Sequence, residues 1–376
     1  GVVGGAGRIC GGGAMACDAS LVEGEVEAAA FAEPVAAASA AEGSVRRVRC
    51  ISDIHVDEEE NRQWLAGLPE HPEDVLIVAG DLSDNLARAR SALRTLKGKY
   101  GEVLCVPGNH DLWLSRKEES GVRDSMEKLQ AFLAMCRDEG VRTGPLRVDG
   151  EGGSCCVVPL LSWHHQSFDT EPDITCWEGI PMPEHVMVDY RRCKWPSPLS
   201  QTDESVARAL DELNDRGPAF PEGAGSAALP IISFSHFVPR FELNPEKRFL
   251  FLPCLIKAVG SRFLGERVQR IGSAMHVFGH THFGWDAMLG NTRYVQAALG
   301  YPSEWRERPA SMEIGDLPKE PIVLWTSSHG FAPPMAARWS DYYEGHARTP
   351  EVTHTLAPYV APMYRQLPGG EICDWP

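Results

Sequence analysis

Short apolar runs alternate with amphipathic segments along most of the chain, and polar residues directly follow several of the runs. Continuous apolar runs of about four to eight residues are typical of strands that are buried on both faces. Residues 74–79 and 103–106 have this form, and segment 84–96, with apolar residues at helical spacing, lies between them. Repetition of strand, loop and helix predicts an α/β fold whose sheet contains parallel strand pairs covered by helices.

The same criteria predict the other elements, and Gly290-Asn291 indicates a hairpin between two of the strands. Asp84 is expected to cap the helix that follows it. The predicted strands are 47–52, 74–79, 103–106, 154–161, 230–234, 275–278, 285–289, 293–296 and 321–326, and the predicted helices are 62–68, 84–96, 124–139 and 202–215.

The domain organisation follows from where this pattern stops. Residues 1–44 are rich in Gly and Ala and have no period that would bury one face, so they are predicted to be disordered. Residues 45–345 are predicted to form one domain, with an aperiodic insertion at about 162–201. Residues 346–376 are rich in turns and are expected to pack on the surface of that domain.

Composition narrows the classes of function. The 376 residues are 43% hydrophobic and 23% charged, with a formal net charge of −16. This charge argues against unassisted binding to nucleic acid or to an anionic membrane. No run of 18 apolar residues and no charged, apolar leader is present, and the 11 cysteines are scattered as in proteins with reduced, buried thiols. We therefore expect a soluble cytoplasmic protein.

Polar residues of metal-binding type directly follow five of the predicted strands. Pro107 and Gly108 force a turn after one of them, so the next residues lie on a loop at its carboxyl end, where open α/β sheets bind ligands. Five of the 13 histidines fall at these strand ends, which packing alone explains poorly. The strand-end residues are Asp53, His55, Asp81, Asn109, His110, Asp111, His236, His280 and His282.

This mixture of carboxylate, amide and imidazole donors suits divalent or trivalent Mn, Fe or Zn ions, and it does not distinguish among them. Two such ions about 3.5–4 Å apart can clamp the attacking and leaving oxygens of an in-line displacement at phosphorus. A carboxylate can bridge the ions, which also lower the pKa of a bridging water. The strand ends therefore predict a dinuclear metal centre for phosphate-ester chemistry.

The order and spacing of these motifs resemble the calcineurin-like metallophosphoesterases. Twenty-eight residues separate Asp53 from Asp81, another 28 separate Asp81 from Asn109, and a longer gap precedes His236. The resemblance covers residues 48–296 and includes all five motifs. It implies a four-layer α-β-β-α sandwich, with helices outside two packed mixed sheets and a dinuclear centre at the strand ends.

The resemblance also implies roles for the site residues. His110 would lie over the phosphorus, where it stabilises charge or protonates the leaving oxygen. Asp84 matches a position that can pair with that histidine, an alternative or addition to helix capping, and Asp111 is expected to support the loop. The implied metal ligands are Asp53, His55 and His282 for one ion, Asn109, His236 and His280 for the other, and Asp81 as the bridge between them.

Within the superfamily, the protein Ser/Thr phosphatases carry Asp-Arg-Gly after the bridging aspartate, whereas this chain has Asp84-Asn85-Leu86. The phosphate-binding arginine of that branch is therefore missing here. Segments 235–240, 280–286 and 339–341 are similar to a plant and algal group of largely uncharacterised members.

Candidate substrate-binding residues come from other segments. Arg240, four residues after His236, could reach a phosphate or form a salt bridge. His164 and His165 follow a predicted strand inside the long insertion and could line the pocket beside Trp163.

These observations predict a hydrolase of phosphate esters, with phosphodiesters of small molecules as substrates, acting by in-line attack of a bridging hydroxide. The alternative enzyme is a phosphomonoesterase, that is, a phosphatase for small molecules or phosphoproteins. A nuclease is disfavoured by the acidic balance. A non-catalytic scaffold is disfavoured because no ligand position is lost. The sequence does not predict an oligomeric state.

Overall fold

The structure, a computed structural model, describes residues 36–39, 45–114 and 121–374. Its strands are β1 (Ala36–Ser39), β2 (Arg47–Ile51), β3 (His71–Ala79), β4 (Tyr100–Val106), β5 (Leu146–Gly150), β6 (Gly153–Pro159), β7 (Trp177–Glu178), β8 (Ile231–Phe234), β9 (Ser273–Phe278), β10 (Trp285–Leu289), β11 (Thr292–Gln296), β12 (Ile322–Thr326), β13 (Gly330–Phe331), β14 (Thr355–Leu356), β15 (Arg365–Gln366) and β16 (Glu371–Ile372). Its α-helices are α1 (Glu59–Gly67), α2 (Leu86–Lys99), α3 (Asn109–Leu112), α4 (Ser125–Asp138), α5 (Pro183–Val186), α6 (Asp189–Arg192), α7 (Ser205–Leu213), α8 (Arg262–Arg270), α9 (Pro302–Glu307), α10 (Pro309–Met312) and α11 (Arg338–Gly345).

Most of the strands belong to two large mixed sheets. The larger sheet has the order β1-β5-β6-β8-β9-β11-β10, and the smaller has the order β13-β12-β2-β3-β4. In the larger sheet, β6, β8, β9 and β11 form successive parallel pairs, and β1 is parallel to β5, whereas the pairs β5–β6 and β11–β10 are antiparallel. In the smaller sheet, β2, β3 and β4 form successive parallel pairs, and β12 is antiparallel to both β2 and β13. The mixed α/β fold with two large mixed sheets and helices, expected from the sequence, is confirmed.

The core between the sheets explains why the central strands are apolar runs. Ile77 and Leu104 of the smaller sheet belong to one continuous cluster of buried residues with Val157 and Ile232 of the larger sheet. Since helices also pack on the smaller sheet, both faces of β3 are covered and Val75 to Ala79 are fully buried. Of the nine cysteines in the described segments, all are unpaired and seven are buried.

Side chains cap the amino-terminal ends of α4 and α2. Asp124 caps α4, because its carboxylate accepts hydrogen bonds from the backbone N–H groups of Met126 and Glu127. The predicted cap of α2 is wrong by one residue: Asn85, not Asp84, accepts from the backbone N–H of Arg88. The side chain of Asp84 is therefore free of the helix end.

The structure describes four residues of segment 1–44 and most of segment 346–376. The predicted disordered segment 1–44 lies outside the described residues, except that Ala36–Ser39 form β1 and pair in parallel with β5. The carboxyl-terminal segment contacts the insertion, since β15 pairs with β7 and the indole N–H of Trp177 donates to the carbonyl of His354. Among the described helices, none has the length and apolar character needed to cross a bilayer.

Candidate active site

The predicted metal-binding residues meet where strands of both sheets end. Asp53 and His55 follow β2, and Asp81 follows β3, all in the smaller sheet. The remaining residues follow β4 of that sheet and β8 and β9 of the larger sheet; they are Asn109, His236, His280 and His282. The carboxyl ends of parallel strands thus deliver all seven side chains to one place.

The backbone at these strand ends is strained. Six non-glycine residues in the described segments have a positive φ angle, and five of them are predicted metal ligands. Such left-handed conformations cost about 1–3 kcal/mol each and cluster at functional sites. These five are Asp53 (φ 53°), His55 (φ 42°), Asp81 (φ 56°), His280 (φ 77°) and His282 (φ 56°).

One group of donors consists of Asp53, His55 and His282. His282 Nε2 lies 3.2 Å from Asp53 Oδ1 and 3.2 Å from His55 Nε2. One ligand atom from each of the three residues lies within 4.8 Å of the other two, so a single cation could bind all three. This group corresponds to the first predicted metal position.

A second group of donors surrounds the side-chain oxygen of Asn109. Asn109 Oδ1 lies 3.0 Å from His236 Nε2 and 3.0 Å from His280 Nδ1. Asp81 Oδ2 lies 3.5 Å from His236 Nε2 and 3.9 Å from His55 Nε2. Asp81 therefore stands between the two groups, where a bridging carboxylate would be required.

The electrostatics of the site fit bound cations. Asp53 and Asp81 are buried, and their recorded contacts in the described part of the chain include no Lys or Arg. Burial, and then the negative charges of Asp53 and Asp111, raise the pKa of Asp81 well above its usual range. Buried carboxylates need compensating positive charge, which cations held by these nitrogen and oxygen donors would supply.

The loop after β4 holds the bridge position in place. The Asp111 carboxylate accepts hydrogen bonds from the backbone N–H groups of Gly108, Asp81, Leu82 and Ser83. It therefore ties the loop after β4 to the loop after β3, in agreement with its predicted supporting position. The close packing of these two loops requires glycine at position 108, because a Cβ atom there would lie 2.1 Å from Asp81 Oδ1.

Two acids outside the predicted motifs, the buried Asp189 and the partly buried Glu304, contact the donor residues. Glu304 Oε2 lies 2.7 Å from His282 Nδ1, and Asp189 Oδ1 accepts a 2.8 Å hydrogen bond from Asn109 Nδ2. Although burial opposes the change, the negative charges of Glu304 and Asp53 raise the pKa of His282 to about 10. Partners of this kind fix the tautomer and orientation of metal ligands.

His110 stands at the edge of the site and lines a cavity. Its side chain is 15% exposed, and its backbone N–H donates to Asp81 Oδ1. The indole ring of Trp113 lies against the imidazole, with 3.5 Å between ring centroids, and the Tyr301 hydroxyl lies 3.3 Å from Nε2. Burial, followed by the neighbouring imidazoles, lowers the pKa of His110 well below its usual range.

The carboxylate of Asp84 pairs with Arg192 and not with His110. Its Oδ2 atom accepts a 2.7 Å hydrogen bond from Arg192, and among the described contacts it has none with His110. The predicted pairing of Asp84 with His110 is therefore not formed in this structure, because the guanidinium of Arg192 competes for the same carboxylate.

The three predicted substrate-binding residues are placed away from the cavity. Arg240 pairs with Glu242, and His165 contacts the Ser167 hydroxyl at 2.9 Å. His164 is fully buried, with Nε2 3.4 Å from Asp189 Oδ2, so its polar contact with the site is through Asp189. Among the described residues, none of the three lines the cavity at the donor groups.

The cavity beside the donor groups measures about 970 Å³. Its floor is polar and includes Asp81, Asn109 and His110. The rest of its lining is largely apolar, although Arg308 and Arg338 also line it; the apolar residues include Phe249, Phe251, Leu252, Leu255, Phe283, Trp339 and Tyr359.

Comparison with known proteins agrees with this geometry. The model of the family described as calcineurin-like phosphoesterase matches residues 46–184, which contain the motifs around Asp53, Asp81 and Asn109. This match and the relatives described below support placing the chain in the calcineurin-like metallophosphoesterase superfamily. The match and these relatives support a hydrolase that acts on phosphate esters.

Relatives within the superfamily include two curated proteins. The chain is 27% identical over 268 residues to the acyl-carrier-protein phosphodiesterase PptH of Mycobacterium tuberculosis, covering 69% of this chain and 79% of PptH. It is 23% identical over 267 residues to a UPF0046 protein of Caenorhabditis elegans, covering 67% and 69% of the two chains. The crystal structure of phosphopantetheinyl hydrolase (PptH) from M. tuberculosis aligns with a TM-score of 0.56 at 25% identity, over 71% of this chain and 93% of that chain.

Proposed function

We propose that this metallophosphoesterase is a dinuclear, metal-dependent phosphodiesterase. The observation that carries the proposal is the pair of donor groups that share Asp81 at the floor of the cavity. In this proposal, Asp53, His55 and His282 hold one ion, Asn109, His236 and His280 hold the other, and Asp81 binds both. Two such ions supply Lewis-acid stabilisation of phosphoryl charge and a nucleophile from water near neutral pH.

His110 is proposed to serve the leaving group. It faces the same cavity as Asp81 and Asn109, beside the place where a phosphoryl group would meet both donor groups. Its imidazole can hold a proton for the leaving oxygen or stabilise charge on the phosphoryl oxygens. Trp113 against the ring keeps the imidazole at the cavity floor.

The walls of the cavity favour a diester over a monoester. A phosphomonoester dianion has no second ester arm, and it would leave the apolar extension along Phe251, Leu252 and Trp339 unfilled. A diester can place its second arm against these walls, with burial of apolar surface as the driving force. Because PptH is named as an acyl-carrier-protein phosphodiesterase, we propose phosphopantetheinyl diesters, free or protein-linked, as the first substrates to test.

Substrate preference is tested by measuring kcat/KM of the manganese-loaded protein. The assay compares bis(p-nitrophenyl) phosphate, p-nitrophenyl phosphate and a phosphopantetheinylated carrier protein. We expect both diesters to be hydrolysed faster than the monoester. A clear preference for the monoester would refute the diesterase proposal while leaving the phosphoesterase assignment intact.

The site assignment is tested with Asp81→Asn and His110→Ala. Each should lower kcat by about 10²- to 10⁴-fold, because Asp81 is the proposed ligand of both ions and His110 the proposed partner of the leaving group. His346→Ala, which changes an exposed histidine outside the cavity, is the matched control. Chelation should abolish hydrolysis and Mn²⁺ should restore it. Wild-type activity in either site variant would exclude the assigned role.

A further inference from the structure

The partner that orients His110 is unassigned, since Asp84 is bound to Arg192. Within the described contacts, the Tyr301 hydroxyl is the polar side-chain group nearest to His110 Nε2, at 3.3 Å. Asp81 Oδ2 is farther away, at 3.9 Å. Tyr301 and His110 both line the cavity at its polar floor.

Tyr301 is itself held firmly by three contacts. Its ring stacks on His55, with centroids 4.4 Å apart and planes 20° apart. Its backbone N–H donates to Glu304 Oε2 at 2.8 Å, and Pro302 at the first position of α9 fixes the chain direction just after it. The backbone of Tyr301 is therefore fixed at the start of α9, and the stacking on His55 restrains the ring that carries the hydroxyl.

The chemistry of the hydroxyl suits the position. A tyrosine hydroxyl both donates and accepts, so it can donate to Nε2 of the neutral imidazole and accept from Nε2 of the protonated one. The Trp113 ring restricts motion perpendicular to the imidazole plane, and the hydroxyl restricts rotation within that plane. Because the hydroxyl occupies Nε2, the proton that the imidazole gives to a leaving oxygen would come from Nδ1, and the two contacts together set the direction of that nitrogen.

We propose that Tyr301 is a positioning residue that orients His110 toward the leaving oxygen of the substrate. This inference rests on the proposed function, because it assumes that His110 assists departure of the leaving group. It concerns the hydroxyl alone, since the ring is already accounted for by its contact with His55.

The test is Tyr301→Phe, which retains the ring and removes the hydroxyl. Two phosphodiesters are compared: bis(p-nitrophenyl) phosphate, whose leaving group is p-nitrophenolate, and a dialkyl phosphodiester, whose leaving group is an alkyl alcohol. The first leaves without protonation and the second requires it. We expect Tyr301→Phe to lower kcat for the alkyl ester about tenfold, with KM and bound metal unchanged, and to change kcat for the p-nitrophenyl ester less than about twofold.

A double variant and a control complete the test. Tyr301→Phe combined with His110→Ala should be no slower than His110→Ala alone, because the hydroxyl acts only through the imidazole. Tyr343→Phe removes a hydroxyl that contacts the backbone N–H of Glu246 outside the cavity, and it should leave the leaving-group dependence unchanged.

The results that would overturn the role of Tyr301 differ from the one that would overturn the role of His110. Equal losses on both esters, additive effects in the double variant, or no loss at all would overturn the role of Tyr301 while His110 remains assigned. If His110→Ala itself shows no dependence on the leaving group, the proposed role of His110 fails, and the inference for Tyr301 fails with it.

Discussion

Replacement of Glu304 by Gln should weaken metal binding without changing the fold. The Glu304 carboxylate contacts His282 Nδ1 at 2.7 Å and accepts from the backbone N–H of Tyr301 at 2.8 Å, and its other oxygen pairs with Arg308. Against the effect of burial, the positive charges of His282 and Arg308 lower the pKa of Glu304 to about 2. Glu304 is therefore a carboxylate at neutral pH, and Gln removes its charge while keeping its shape.

The size of the effect follows from counting donors. Three donor groups approach the two oxygens of Glu304, whereas Gln offers one oxygen and an NH₂ group that is itself a donor. At least one donor must therefore lose its partner. If that donor is His282 Nδ1, the tautomer that leaves Nε2 free for a cation is no longer fixed. Loss of such a partner typically reduces metal affinity about 10- to 100-fold, or about 1.4–2.7 kcal/mol.

The assay is calorimetric titration of Mn²⁺ into metal-free protein, with activity followed against free Mn²⁺. Glu139→Gln is the control, because Glu139 likewise accepts on both carboxylate oxygens, from Arg90 at 2.7 Å and Arg94 at 2.6 Å, but lies outside the cavity. Manganese affinity of Glu304→Gln within about twofold of wild type would refute the reasoning, since it is below the range expected for loss of a ligand-orienting partner.

Two further predictions concern stability. Gly108→Ala should lower the free energy of unfolding, measured by urea denaturation, by about 1–3 kcal/mol and remove most activity, because its Cβ would lie 2.1 Å from Asp81 Oδ1. The control is Gly67→Ala, whose Cβ would have no atom within 4 Å; it should change the free energy of unfolding by less than about 0.5 kcal/mol. Burial lowers the pKa of His276 from its usual 6.5 to about 3. As the pH drops, the unfolded chain therefore binds a proton at this residue before the folded protein does. The free energy of unfolding should fall by about 1.4 kcal/mol per pH unit between pH 6.5 and pH 3. His276→Gln should reduce this slope between pH 6 and pH 4, and an unchanged slope would contradict the assignment.

Local sequence determined the elements and the main donors of the site. An apolar run predicts a buried strand wherever neighbours cover both faces, and a polar residue just after it must lie at the strand end. Asp53, Asp81 and Asn109 could therefore be assigned to one edge before any packing was known. The turn at Pro107-Gly108 was equally local, because proline and glycine restrict or permit backbone angles by themselves.

The partners of these donors were decided only by tertiary structure. Glu304 is 22 residues from His282, Asp189 is 80 residues from Asn109, and Tyr301 is 191 residues from His110. Nothing in the neighbourhood of each acid or hydroxyl in the sequence indicates which imidazole or amide it will meet.

Tertiary structure also decided which of several possible partners a side chain takes. Asp84 could cap a helix, pair with His110 or bind a distant cation, and Arg192, 108 residues away, takes the carboxylate. Such choices depend on distances across the fold, since charge and hydrogen-bond energies act only between groups that packing brings within a few ångströms. The sequence thus determined the type and order of the donors that form the site, and the packing of the two sheets and the insertion decided which side chains orient them.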